Sequence, residues 1–150
     1  MSEHVLKSHN KTLLLYHIVC PAKYRRRVFS DAVTETLKEV CKEIAERYDV
    51  SFVEIGSDED HIHFLVQSVP MMSVSRLVML IKSLTAKEIF SNHKEVKKIL
   101  WGGSIWSSGF YANTVGQYAN ENVITKYVKN QGKHYQQIHR GQLKLFEGLA

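Results

Sequence analysis

From Thr12 to Cys20 the chain carries Leu13, Leu14, Leu15, Ile18 and Val19, interrupted by Tyr16 and His17, and leaves almost no polar face. The run is far short of the ~20 apolar residues that a membrane helix needs. It reads as a β-strand covered on both sides, and such a strand sits in the middle of a sheet. Pro21 is expected to end it, because proline has no N–H for the ladder. Whatever else the chain forms has to be layered around this strand.

The neighbouring segments supply those layers. A basic turn, Lys23-Tyr24-Arg25-Arg26-Arg27, follows Pro21. Ser30 is a good N-cap, and Val33, Leu37, Val40, Cys41, Ile44 and Tyr48 recur at three- and four-residue steps, which predicts an amphipathic helix of about 17 residues. Asp31 and Glu35 favour its N-terminal dipole. Two strands are expected next, Val50 to Gly56 and His61 to Ser68, joined as a hairpin by the acidic turn Ser57-Asp58-Glu59-Asp60. Ser73 caps a second helix with the stripe Val74, Leu77, Val78, Ile81 and Leu84, and a shorter helical piece spans His93 to Leu100. After Gly102-Gly103, Ser104 to Asn113 reads as a fourth strand, and Thr114 to about Gln131 as a last helix stopped by Gly132. The order β-α-β-β-α-β-α matches, in its first six elements, the split βαβ of ferredoxin-like α+β folds: an antiparallel sheet with helices on one face, here with a further C-terminal helix.

Composition narrows the function classes. A hydrophobic content of 44% and a charged content of 23% are those of a globular chain. Its length suits a single domain over 1–150 whose core needs no metal or disulfide staple. Two cysteines, Cys20 and Cys41, are too few for a secreted disulfide scaffold, so a cytoplasmic setting is expected. The start MSEHVLKSHNK lacks the apolar stretch of a signal peptide. The net charge of +5 fits a polyanionic partner.

Two constellations could carry chemistry. His61 and His63 are two residues apart on a predicted strand, so both imidazoles leave the same face and could converge on one divalent cation, with Asp60 orienting one of them. Such a pair also occurs as ordinary surface or core-edge histidines. Tyr127 and Gln131 are four apart on a predicted helix and share a face, flanked by Lys126, Lys129 and Lys133. That face could equally be a solvated one. Taken together, a tyrosine hydroxyl, two imidazoles and an amide oxygen suit attack on a phosphodiester: the imidazoles and the amide hold Mg²⁺ or Mn²⁺, and the lysines favour the phenolate. The basic cluster Lys23, Arg25, Arg26 and Arg27 could contact phosphates, as could Lys126 and Lys129. Trp101, Trp106, Phe110 and Tyr111 carry no assigned role.

Four stretches resemble one family, the single-tyrosine HUH transposases of the insertion-sequence 200/605 type. They are Tyr16-His-Ile-Val-Cys-Pro-Ala-Lys-Tyr-Arg-Arg-Arg-Val-Phe29, Asp60-His-Ile-His-Phe-Leu-Val66, Trp106 to Gly116 ending Asn-Thr-Val-Gly, and Tyr127-Val-Lys-Asn-Gln131. They come in the family's order and span nearly the whole chain. The resemblance implies that His61, His63 and Gln131 ligate a metal and that Tyr127 is the nucleophile. It implies hairpin binding and cleavage of single-stranded DNA through a 5′-phosphotyrosine, without a nucleotide cofactor. It further implies a homodimer in which the Tyr127 helix completes the partner's site. A domesticated relative cleaving a chromosomal hairpin, or a non-catalytic basic DNA- or RNA-binding module on the same fold, are the competing expectations.

Overall fold

A computed structural model of the chain describes residues 5–7, 10–12, 14–101, 103–115 and 136–137. The apolar run forms strand β3 (Leu14–Pro21), and its residues alternate between two buried faces. Ile18 and Cys20 join Ile62, Phe64 and Val66 of β5 (His61–Ser68) in the main core, while Leu15 and His17 are buried on the other side. Helix α1 (Asp31–Tyr48) starts where Ser30 Oγ accepts from the Val33 N–H at 3.2 Å. Helix α2 (Val74–Asn92) starts the same way, Ser73 Oγ accepting from Arg76 N–H at 3.1 Å. Leu37, Val40 and Ile44 of α1 pack with Leu77, Val78 and Ile81 of α2 over the Ile18 face of the sheet. Each such fully buried aliphatic side chain contributes about 1.5–3 kcal/mol, so this helix–sheet layer fixes where the strands lie.

With β4 (Ser51–Asp58), β6 (Tyr111–Thr114) and a short β7 (Gln136–Gln137), the sheet runs β6-β3-β5-β4-β7, and all four pairings are antiparallel. Its first four strands have the expected split βαβ order, so the fold is α+β with helices packed on one face. A separate hairpin, β1 (Val5–Lys7) with β2 (Asn10–Thr12), precedes it, and α3 (Lys94–Ile99) follows α2 and buries Val96.

Several boundaries differ from those read in the sequence. Thr12 belongs to β2, and Pro21 is the last residue of β3, opposite His61 of β5, while its carbonyl accepts from Ser107 N–H at 3.0 Å. The acidic turn is only Glu59-Asp60, since Ser57 and Asp58 remain paired with Ile62 and His61. The expected strand over Ser104–Asn113 is the largest correction. Ser104, Ser107, Ser108 and Gly109 are weak strand formers, and the segment before Tyr111 is irregular. Trp106 touches the sheet through one bridge to Ala22, and Lys82 Nζ holds the segment by donating to the carbonyls of Ser107 and Gly109, each at 2.8 Å. Thr114, expected to open the last helix, ends β6 instead, and Val115 N–H still donates to Leu15 O. The rest of that expected helix, with Lys126, Tyr127, Lys129 and Gln131, lies outside the described residues.

Candidate active site

The sheet face turned away from α1 and α2 brings the motif residues together. His61 and His63 both leave β5 on this side, with ring centroids 4.8 Å apart and planes at 68°. Gly56 of β4 stands directly opposite His63, and Asp58 opposite His61. A bulge at Val53 shifts the phase of β4, so Phe52 and Ile55 both enter the main core while Glu54 is buried on the histidine side.

His61 is held by Asp60. Its Nδ1 donates to Asp60 Oδ1 at 2.7 Å, and Arg25 Nε donates to Asp60 Oδ2 at 3.2 Å. Partial burial alone would raise the Asp60 carboxyl, but the hydrogen bonds from His61 and Arg25, with their charges, outweigh it and hold the group below its ordinary value. The backbone secures the same corner: Ala22 N–H donates to Asp60 O at 2.8 Å, and Lys23 N–H to Ile105 O at 2.7 Å. Tyr24 and Arg25 then take left-handed φ values of 58° and 53°, a conformation that costs roughly 1–2 kcal/mol per non-glycine residue. That turn aims the Arg25 guanidinium at Asp60.

His63 is held differently. Its Nδ1 lies 3.1 Å from Nε2 of His17, a fully buried ring diagonal to it on β3, and the side chain of Asn113 on β6 hydrogen-bonds His17 in turn. Desolvation lowers His17 to about 4, against a raising contribution from Asn113. Desolvation lowers His63 to about 3, helped by the charges of His61 and His17. Both rings are therefore neutral near neutral pH, the form in which imidazole ligates a metal. With Nδ1 of each motif histidine engaged, Nε2 is the nitrogen that each ring could offer a cation. The donor set thus fits a divalent cation, with two imidazoles fixed in the manner of metal-site histidines. A second grouping, Asp58, Asp60 and His61, has ligand atoms within 4.8 Å of one another.

The expected basic cluster borders this face. Arg25 is engaged with Asp60, and Arg27 Nε lies 3.2 Å from Glu59 Oε2. Tyr24 and Arg26 are exposed, and Lys23 Nζ sits 5.5 Å from the Tyr24 ring centroid. Sequence reading did not assign roles to His17, Asn113, Glu54 or Tyr111. The signal for His17 and Glu54 was a polar residue at an inward strand position, which demands a partner. Tyr111, half-exposed, meets the His17 ring edge-on at 6.4 Å between centroids. Cys20 is wholly buried in the helix-side core, and burial pushes its thiol up to about 12, so it stays an inert thiol.

Residues 10–131 match the family model described as "Transposase IS200 like". The chain belongs to the IS200-like transposases. Among its relatives, the ISDra2 transposase TnpA of Deinococcus radiodurans is 28% identical over 118 residues, covering 79% of this chain and 84% of the relative. The IS200 transposase of Salmonella typhimurium is 29% identical over 124 residues, covering 83% and 80%. A solved transposase structure from Deinococcus radiodurans R1 superposes with a TM-score of 0.68 at 27% identity, covering 85% of this chain and 97% of that one. A REP-associated tyrosine transposase bound to a REP hairpin has a TM-score of 0.53 at 10% identity, covering 81% and 68%, and shares the fold. Among the described residues of this IS200-like transposase, no helix is long and apolar enough to cross a membrane.

Proposed function

We propose that this chain binds hairpin ends of an insertion sequence and cleaves and rejoins single-stranded DNA, using Tyr127 as nucleophile. The observation that carries the reading is the pair of imidazoles, His61 and His63, each held through Nδ1 on one sheet face of an IS200-like transposase. His61, His63 and Gln131 would hold Mg²⁺ or Mn²⁺, which when bound supplies Lewis-acid polarisation of the scissile phosphate.

The chain's own residues account for the rest. The Tyr127 hydroxyl attacks phosphorus, the P–O3′ bond breaks, and the phenolic proton ends on the released 3′-hydroxyl. The product is a 5′-phosphotyrosine, which keeps the bond energy of the phosphodiester. Attack on it by a 3′-hydroxyl reverses the step and joins strands without a nucleotide cofactor. Lys126 and Lys129 favour the phenolate by their charge, and Lys23, Arg25, Arg26 and Arg27 offer salt-dependent phosphate contacts. The protein works as one domain and as a homodimer, the Tyr127 helix of one subunit completing the other's site. The hairpin carried by a neighbour of the same fold lends support to the choice of substrate.

The test is a denaturing gel of protein incubated with labelled single-stranded hairpin oligonucleotides and Mg²⁺ or Mn²⁺. A metal-dependent covalent band is expected, absent in Tyr127→Phe and retained in Tyr111→Phe, the tyrosine beside the histidine face. Hairpin binding with no covalent band in any reaction would make the chain a binding module. A band lost in Tyr111→Phe and kept in Tyr127→Phe would move the nucleophile.

A further inference from the structure

His17 interrupts the apolar run of the central strand, and its ring is wholly buried. A buried imidazole needs its nitrogens bonded, and the two here meet different partners. Nε2 faces Nδ1 of His63 at 3.1 Å. Asn113 stands directly opposite His17 in the β3–β6 register and hydrogen-bonds its ring, a contact that with Nε2 on His63 falls to Nδ1.

The His17 and His63 rings lie nearly parallel, at 10°, with centroids 5.3 Å apart. Together with the short Nε2–Nδ1 distance, that is an edge contact in which a ring N–H of one points at the lone pair of the other. Two neutral rings can make this bond in two ways. If His17 donates from Nε2, the proton of His63 sits on its own Nε2, where a metal would have to bind. If His63 donates from Nδ1, its Nε2 keeps a lone pair, and the proton of His17 must sit on Nδ1. Ligation of a metal through Nε2 of His63 requires the second arrangement. Asn113, directly opposite His17, can support it by turning its amide oxygen to that ring, so that Nδ1–H of His17 donates and its Nε2, without a proton, accepts from His63.

We propose that Asn113 and His17 are positioning residues that fix His63 as its Nδ1–H tautomer, so that Nε2 presents the lone pair a metal ion requires. The role builds on the metal reading of His61 and His63. Asp60 does the same for His61, because a carboxylate can only accept and the proton must lie on Nδ1 of that ring. The two relays approach the pair from opposite ends, one along β3 and β6, the other from the β4–β5 turn. Both leave Nε2 as the ligating atom.

Long-range ¹H–¹⁵N correlation spectra of the full-length, metal-free protein near neutral pH read the tautomer directly. His63 is expected as Nδ1–H; an Nε2–H signal would overturn the proposal, whether or not metal binds. Mn²⁺ titration of variants is the second arm. His17→Phe keeps a ring but loses the acceptor, and should mix the His63 tautomers and weaken Mn²⁺ binding about tenfold or more, the size of effect seen when such partners are removed. His17→Gln restores an acceptor oxygen and should return affinity to within about threefold of wild type. A folded His17→Phe protein with wild-type Mn²⁺ affinity would overturn the proposal. Should that variant fail to fold, Asn113→Leu carries the same test, with a mixed His63 tautomer expected and an unchanged one contradicting. Wild-type protein that shows Nδ1–H yet binds no Mn²⁺ would remove the metal reading and leave the tautomer relay standing.

Discussion

The two supports of the histidine pair do one job by different physics. His61 is held at the rim by a charged chain, Arg25 to Asp60 to His61, in which Arg25 is 59% and Asp60 28% exposed. His63 is held in the interior by neutral groups, Asn113 to His17 to His63, with both rings almost wholly buried. The rim relay is screened by salt and open to competition, since a phosphate could draw Arg25 away from Asp60. The interior relay is shielded, and its burial is what keeps both rings unprotonated. One histidine ring is thus enclosed in the interior, while the other is tied to the basic turn at the rim.

Acid should separate the two relays most strongly. His17 and His63 have folded values of about 4 and about 3, below the ordinary 6.5, so the unfolded chain binds more protons as pH falls. The stability they contribute is complete above about pH 6.5 and is lost on acidification toward those folded values, on the order of 1.4 kcal/mol per pH unit for each ring. Asp60 is held below its ordinary 3.8, so its contribution persists above that value and disappears only below it. Urea midpoints of the metal-free protein should therefore fall well before Asp60 titrates, and a flat profile from pH 6.5 to 4.5 would show that the interior rings are not buried neutral.

Removing a ring should break the comparison next. His63→Ala should lower unfolding free energy by about 2–4 kcal/mol, because it opens a cavity and leaves His17 without its partner. His61→Ala should change it by less than about 1 kcal/mol. Both should abolish metal-dependent cleavage, and equal destabilisation in denaturant titrations would contradict the interior–rim distinction. Asp60→Asn is a smaller perturbation, since an amide oxygen still accepts from His61 but without charge. Calorimetry should show Mn²⁺ affinity reduced about tenfold. Arg25→Ala is the mildest, an exposed ion pair being worth about 0.2–1 kcal/mol, and should weaken Mn²⁺ binding less than fivefold while reducing the salt dependence of hairpin binding.

What could be read from the sequence follows the same division. His61, His63 and Asp60 are contiguous, and a strand's two-residue period places both rings on one face without any knowledge of the fold. The α1 and α2 stripes and their serine caps were legible for the same local reason. The partners of His63 were not, because His17 reaches it only through the β3–β5 register and Asn113 only through that of β3 and β6. In the sequence His17 is merely a break in an apolar run. The bulge at Val53 that carries Glu54 to the histidine side is likewise a property of pairing. The aromatic residues between Trp106 and Tyr111 resembled a continuous strand, yet Trp106 serves the core, packing on Phe29 at 5.1 Å and donating to Thr85 Oγ1 at 3.0 Å.

The most direct test of the account is the position of Mn²⁺, located by its anomalous scattering in crystals of the wild-type protein. A single peak is expected on the sheet face about 2 Å from Nε2 of both His61 and His63, with Asp60 still bonded to His61 Nδ1. A peak instead among Asp58, Asp60 and Nδ1 of His61, with His63 unligated, would contradict it.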